Sequence, residues 1–142
     1  MNNLSLIKEL VRAYQAFETH SSSHIRQLGL TPVQFDVIAT LGNQPPMSYK
    51  QLGEKTLISK SSLTGVVERM IAKGLIVTLD HPDDARSLLL KLTPKGQRVF
   101  EKVFPEHVAY LEQVFKQLPA KRLKEITDSL TELKSIFNDP RS

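Results

Sequence analysis

Two capping-box signatures in close succession constrain this chain more than any other feature. Thr31-Pro32-Val33-Gln34 and Ser48-Tyr49-Lys50-Gln51 each place a hydroxyl where it accepts an orphan N–H of a helix's first turn, with a glutamine three residues later to reach back to the cap. Pro32 takes the first helical position, where its missing N–H is not needed. Gly42 to Pro46 is a breaker cluster between them, so the first helix must be short. Its buried stripe is Phe35, Ile38 and Leu41, and the second short helix carries Leu52. Ahead of both, Ile7, Leu10, Tyr14 and Phe17, with Val11 beside them, follow the three-and-four spacing of one helical face. This reads as a helix from about Leu4 to Leu28, ended by Gly29.

The next helix is expected from near Ser59. Leu63, Val66, Val67, Met70 and Ile71 form its apolar face and leave Lys60, Ser61, Ser62, Gly65, Glu68 and Arg69 mostly outward. Gly74 stops it. Leu75 to Leu79 and Ser87 to Leu92 are short apolar runs, and the Pro and Asp residues of the intervening segment, Asp80 to Arg86, suit a turn, so the pair reads as a hairpin with a charged tip. Thr93-Pro94 caps a helix of about 25 residues, expected to bend near Pro105. Pro119 starts the last helix, where Leu123, Ile126, Leu130, Leu133 and Phe137 make a narrow lengthwise seam.

Composition removes several alternatives. Without cysteine there are no disulfides, thiolate metal sites or thiol redox chemistry. No stretch approaches the ~18 consecutive apolar residues of a membrane span, and Glu9 interrupts the apolar run that a secretory signal needs, so a cytoplasmic protein is expected. The formal net charge is +4, and its excess sits mid-chain: nine Lys or Arg face six Asp or Glu between Pro32 and Phe100, whereas after residue 100 seven of each cancel. There is no phosphate-cradling Gly-rich loop, His-Glu-x-x-His or Gly-x-Ser-x-Gly, and the acidic cluster Asp80, Asp83 and Asp84 falls on the hairpin tip without supporting ligands. A protein that is not an enzyme, with no cofactor, is expected.

The fold class that follows is mainly α with a small β-hairpin wing, a winged helix-turn-helix flanked by N- and C-terminal helices. A major groove about 12 Å wide accepts one helix, whose N-terminal residues reach base edges. Lys60, Ser61, Ser62 and Thr64 hold those positions, Gly65 allows close backbone approach, and Arg69 is placed to pair with phosphate. Ser48 and Lys50, at the start of the shorter helix, join them as DNA-contact candidates. Arg86 on the wing suits a narrow, electronegative minor groove, with Asp84 expected to hold it in position. A single half-site of ~5 base pairs is too common in a genome to be selective, so two joined copies reading a pseudo-palindrome with half-sites ~34 Å apart are expected.

The run from Ser59 to Ile76, then Asp83-Asp84-Ala85-Arg86 and Leu92-Thr93-Pro94-Lys95-Gly96, resembles the MarR family of bacterial regulators over nearly the whole chain. Asp84-Ala85-Arg86 followed by Leu92-Thr93 and Gly96 is similar to the family's Asp-x-Arg and Leu-Thr-x-x-Gly pattern. The chain departs from it at Ala85, where a second arginine is frequent, and at Gly65, where a larger polar residue is frequent. The resemblance implies a ligand-responsive repressor, homodimeric through its terminal helices, with residues 1–30 and 101–142 as dimerisation segments around a DNA-binding domain at 31–100. It also implies a small-molecule effector between the dimerisation helices and the winged domain, where Tyr14, Phe17, His20 and His24 are the candidates. Two other readings stay open: a zinc-responsive regulator of the same fold using His20 and His24, four apart on one helical face, with His107 as a third ligand, and a winged module that binds protein or RNA. No metal ligand is assigned.

Overall fold

A computed structural model of the chain describes residues 3–57 and 63–141. The elements run α1 (Asn3–Gln27), α2 (Pro32–Leu41), β1 (Met47–Ser48), α3 (Tyr49–Lys55), α4 (Thr64–Ala72), β2 (Ile76–His81), β3 (Asp84–Leu92), α5 (Pro94–Phe115) and α6 (Ala120–Phe137). Both capping boxes form. Thr31 Oγ1 accepts the Gln34 N–H at 3.1 Å while the Gln34 side chain accepts the Thr31 N–H at 3.0 Å, and Ser48 and Gln51 repeat the exchange at 3.1 and 2.9 Å. Each cap contributes ~1 kcal/mol. Gly74, at φ +76°, closes the turn after α4 in a left-handed conformation that a side chain would strain.

The chain divides into two compact units, Met1–His107 and Val108–Ser142. In the first, the main core gathers Val37, Ile38 and Leu41 of α2, Leu52 of α3, Val67 and Met70 of α4, Ile76, Leu90 and Leu92 of the hairpin, and Phe100 of α5. Val37, Ile38, Leu52, Val67, Met70 and Leu90 are wholly shielded from solvent, and each such burial contributes roughly 1.5–3 kcal/mol. A second cluster of Ile25, Phe35 and Val103 joins α1, α2 and α5. Gly42 lies against Phe100 so closely that a Cβ there would stand 2.2 Å from two of its ring carbons. In the second unit, α6 buries none of its residues, and Leu130, Ile136 and Phe137 are more than half exposed. Exposed ion pairs, Arg122–Glu125 at 3.3 Å and Lys124–Asp128 at 2.8 Å, support it along its own length.

The structure departs from the sequence expectations in two places. The hairpin strands are longer than their apolar runs, reaching His81 and starting again at Asp84, so only Pro82 and Asp83 turn the chain. A register irregularity between Asp80 and His81 accommodates that tight turn. Two residues ahead of α3 make a third strand, with Met47 opposite Leu90 and Ser48 opposite Leu89, in sheet order β1-β3-β2. The 22 residues of α5 form one helix through Pro105, where only a single backbone donor is lost. The recognition helix is described from Thr64; its expected start at Ser59 lies outside the described residues.

Candidate nucleic-acid interface

Behind the recognition helix, the segment Leu92-Thr93-Pro94-Lys95-Gly96 ties the end of α4 to the start of α5. The Thr93 hydroxyl donates to the Gly74 carbonyl at 2.5 Å and accepts the Gly96 N–H at 3.0 Å, capping α5. The Lys95 ammonium donates to the Lys73 carbonyl at 2.9 Å, placing a cation on the negative end of the α4 dipole. The Thr93 N–H bonds the Leu75 carbonyl at 3.0 Å. Gly96 has to be glycine because any Cβ would run into that same Leu75 carbonyl. Threonine, lysine and glycine thus each have a distinct task in one knot, which sets the hairpin and the recognition helix in a common frame.

Leu63, Val67 and Met70 are buried on the inner face of α4, with Val66 and Ile71 half-buried beside them. Thr64, Gly65, Glu68 and Arg69 are exposed on the other side. Helical side chains lean toward the N-terminus, and Arg69 does so here: its Nη1 lies 3.8 Å from where a Cβ on Gly65 would stand. The guanidinium therefore lies one turn back over the bare glycine, nearer the N-terminal end of the helix. Lys60, Ser61 and Ser62 lie outside the described residues. On α3, Lys50 is exposed, whereas the Ser48 hydroxyl oxygen is committed to the cap and keeps only its hydrogen to offer. Tyr49 faces across to α4, and its phenol is pushed above the ordinary value by burial and by the Glu68 carboxylate.

On the wing, Asp84 and Arg86 are related differently from the expectation. Asp84 Oδ1 accepts the backbone N–H of Arg86 at 3.0 Å and Oδ2 accepts the Ser87 hydroxyl at 3.0 Å. These two hydrogen bonds, in that order, hold its carboxyl below the usual carboxylate range. The aspartate thus fixes the path of the strand that carries Arg86 and does not clamp the guanidinium, because a carboxylate two residues before an amide reaches that amide with least loss of rotamer freedom. His81 Nδ1 accepts the Asp83 N–H at 3.0 Å across the turn. Arg86 itself is exposed in β3, beyond the tip.

Away from the interface, Ser21, His24 and His107 meet between α1 and α5. His24 Nδ1 and His107 Nδ1 are 3.0 Å apart and the Ser21 hydroxyl lies 3.0 Å from His107 Nε2. The edge of Phe35 from α2 closes on His107 at 4.7 Å between ring centroids. Among the described residues no group of three His, Cys, Asp or Glu side chains is arranged to hold a metal ion. Tyr14 and Phe17, farther up α1, are 50% and 41% exposed and take no part in this cluster. A cavity of about 340 Å³ opens beside α2, lined by Asp36, Ala39, Thr40, Gln44, Lys55, Leu57 and Phe104. Asp36 is buried there and accepts the Leu57 N–H at 3.0 Å, anchoring the chain as it leaves α3. A lone aspartate on an otherwise apolar helical stripe was the available signal for this anchor in the sequence.

The chain is 30% identical over 128 residues to the HTH-type transcriptional regulator MhqR of Bacillus subtilis, a match covering 90% of this chain and 88% of that protein. A sequence model of the MarR family matches residues 28–87, the span from the end of α1 to the wing. The chain belongs to the MarR family. The homoprotocatechuate degradative operon repressor of Escherichia coli is 27% identical, over 94% of this chain and 90% of that protein. Among solved structures, a MarR-like transcription regulator from Bacillus cereus superimposes with a TM-score of 0.84 at 26% identity, covering 97% of this chain and 99% of that one. Bordetella bronchiseptica BpsR, whose DNA binding is regulated by 6-hydroxynicotinic acid, does so at 0.78 and 28%, covering 89% and 91%. The mainly helical winged fold expected from the order of elements is therefore the fold of this MarR-family transcription regulator. Among its described residues no helix is long and apolar enough to cross a membrane.

Proposed function

We propose that this chain is a cytoplasmic repressor, with no enzymatic activity, that binds a pseudo-palindromic operator as a homodimer and leaves it when a small molecule binds. The observation that carries the reading is the exposed face of α4, where Thr64, bare Gly65 and the back-folded Arg69 lie in one unit with the strand that carries Arg86. In this reading Thr64 and Gly65 approach base edges together with Lys60, Ser61 and Ser62. Arg69, Lys50 and Ser48 contact phosphate, and Arg86 enters the minor groove on a strand positioned by Asp84. The winged domain at 31–100 would do this work, with segments 1–30 and 101–142 joining two copies. Leu4, Leu6, Ile7, Val11 and Tyr14 of α1, each about half exposed, support that joining, since monomers rarely leave such stripes open.

The effector is assigned to the small hydroxylated aromatic acids, the class of the compound that regulates BpsR. Tyr14, Phe17, His20 and His24 are its candidate contacts. Selection of bound duplexes from a random library, run at two salt concentrations with wild type, Arg86→Ala and Lys60→Ala, tests the reading. A palindromic motif weakened by both changes, with affinity falling steeply with salt, is expected. Equal retention of unrelated duplexes, or of RNA or a protein instead, would overturn it.

A further inference from the structure

We propose that His24 and His107, joined Nδ1 to Nδ1 between α1 and α5, form a proton-operated latch whose opening in acid releases the operator. The inference rests on the DNA-binding reading above. Its geometry is restrictive. A contact of 3.0 Å between two imidazole Nδ1 atoms needs one nitrogen to donate and the other to accept. The Ser21 hydroxyl, 3.0 Å from the far nitrogen of His107, can donate or accept, so either neutral tautomer is satisfied. A first proton is also tolerated, with a charged His24 donating to a neutral His107. A second proton leaves two N–H groups pointing at one another and two positive charges side by side.

His107 is buried, 3% exposed, and Phe35 from α2 covers it edge-on, so on the His107 side water cannot take the place of the lost bond while α1 and α5 stay together. The titratable groups that bear on His107 are His24 and His20, both on α1 and both of its own sign. From α2 it meets the uncharged ring of Phe35, while the neighbouring Asp36 carboxylate is turned to the Leu57 N–H. Burial first, then His24 and His20, hold its pKa below the ordinary 6.5. A histidine lowered in the closed state binds its proton more tightly once the latch is open. The closed state is therefore fully favoured above pH 6.5 and loses up to tenfold per pH unit per proton below it, levelling off beneath the closed-state pKa. Mechanically, the latch belongs to the same contact as the Ile25, Phe35 and Val103 cluster. Parting it frees α1, with its open apolar stripe, from the helices that seat the recognition helix.

The test is made on the full chain. Histidine ¹⁵N NMR from pH 8 to 5 is expected to show His107 titrating below 6.5, and His24→Gln is expected to move that step. Affinity for the selected duplex is expected to fall up to tenfold per pH unit below 6.5, and His107→Gln and His24→Gln, which keep hydrogen-bonding capacity without a titrating ring, are expected to flatten that slope. His24 is only half-buried, so its variant stays informative should the His107 variant fold poorly. Protonation of the wing His81 would strengthen DNA binding in acid, the opposite sign, and cannot imitate the result. Titration of His107 at the ordinary value, unmoved by His24→Gln, overturns the latch, as does an acid slope unchanged in both variants. If no duplex binds at pH 8, the DNA-binding reading fails, while the NMR coupling still decides whether the two rings share a proton.

Discussion

Replacing Thr93 with valine keeps the shape of the side chain and removes one oxygen. That oxygen has two partners, the Gly74 carbonyl to which it donates and the Gly96 N–H which it accepts. Loss of the helix cap on α5 costs ~1 kcal/mol, and the bond to Gly74 a further ~0.5–1.5 kcal/mol, at the neutral-bond level because Gly74 is exposed and water can replace the donor. The sum, roughly 2 kcal/mol, multiplies the unfolding constant about thirtyfold. For a domain of this size it lowers Tm by about 4–8 °C. Urea denaturation at fixed protein concentration measures it, since association would otherwise shift the midpoint. The m-value should not change, because the surface exposed on unfolding is the same. Thr93→Ser, which retains the hydroxyl, should lose well under half as much. A loss for the valine variant below ~0.5 kcal/mol, or an equal loss for the serine variant, would refute the idea that the hydroxyl's two bonds are what matter.

Gly65→Ala should separate stability from recognition: among the described residues its new methyl meets only the Arg69 guanidinium, at 3.8 Å, so the exposed helix gains ~0.5–1 kcal/mol in thermal melts while duplex affinity falls in a binding titration because the backbone can no longer come as close. Gly42→Ala should destabilise by roughly 1–3 kcal/mol in chemical denaturation, since its methyl competes with the buried ring of Phe100. Gly42→Ala paired with Phe100→Leu should recover part of that loss. Asp36→Ala should cost roughly 0.5–1.5 kcal/mol by removing the acceptor of the Leu57 N–H, and hydrogen exchange should show that amide losing its protection.

Much of the fold was legible because the relevant physics is local. The capping boxes at Thr31 and Ser48 pair groups three residues apart, and the left-handed turn at Gly74 needs only the absence of a side chain. The inward set of α4 follows from helical period alone, and its outward Thr64, Gly65 and Arg69 are its complement. The wing was harder. Asp80 to Arg86 carries turn residues throughout, but strand pairing, which adds hydrogen bonds across the hairpin, extends the ladder to His81 and Asp84 against that local preference.

By itself, then, the sequence determined where the capped helices α2 and α3 start, where Gly29 and Gly74 end α1 and α4, which face of each is apolar, and that a small polar helix face precedes a hairpin. Those properties depend on neighbours within a turn or two along the chain. Only the tertiary structure decided that Met47 and Ser48 are a strand, because two residues have no periodicity until Leu89 and Leu90 come alongside. Only it fitted Thr93, Lys95 and Gly96 around the end of α4, and gave Asp36 the Leu57 amide. His24 and His107, 83 residues apart, share a hydrogen bond for the same reason. Each of these contacts joins groups far apart along the chain, and it is satisfied only after the core has fixed their separation to within a hydrogen bond's tolerance of a few tenths of an ångström.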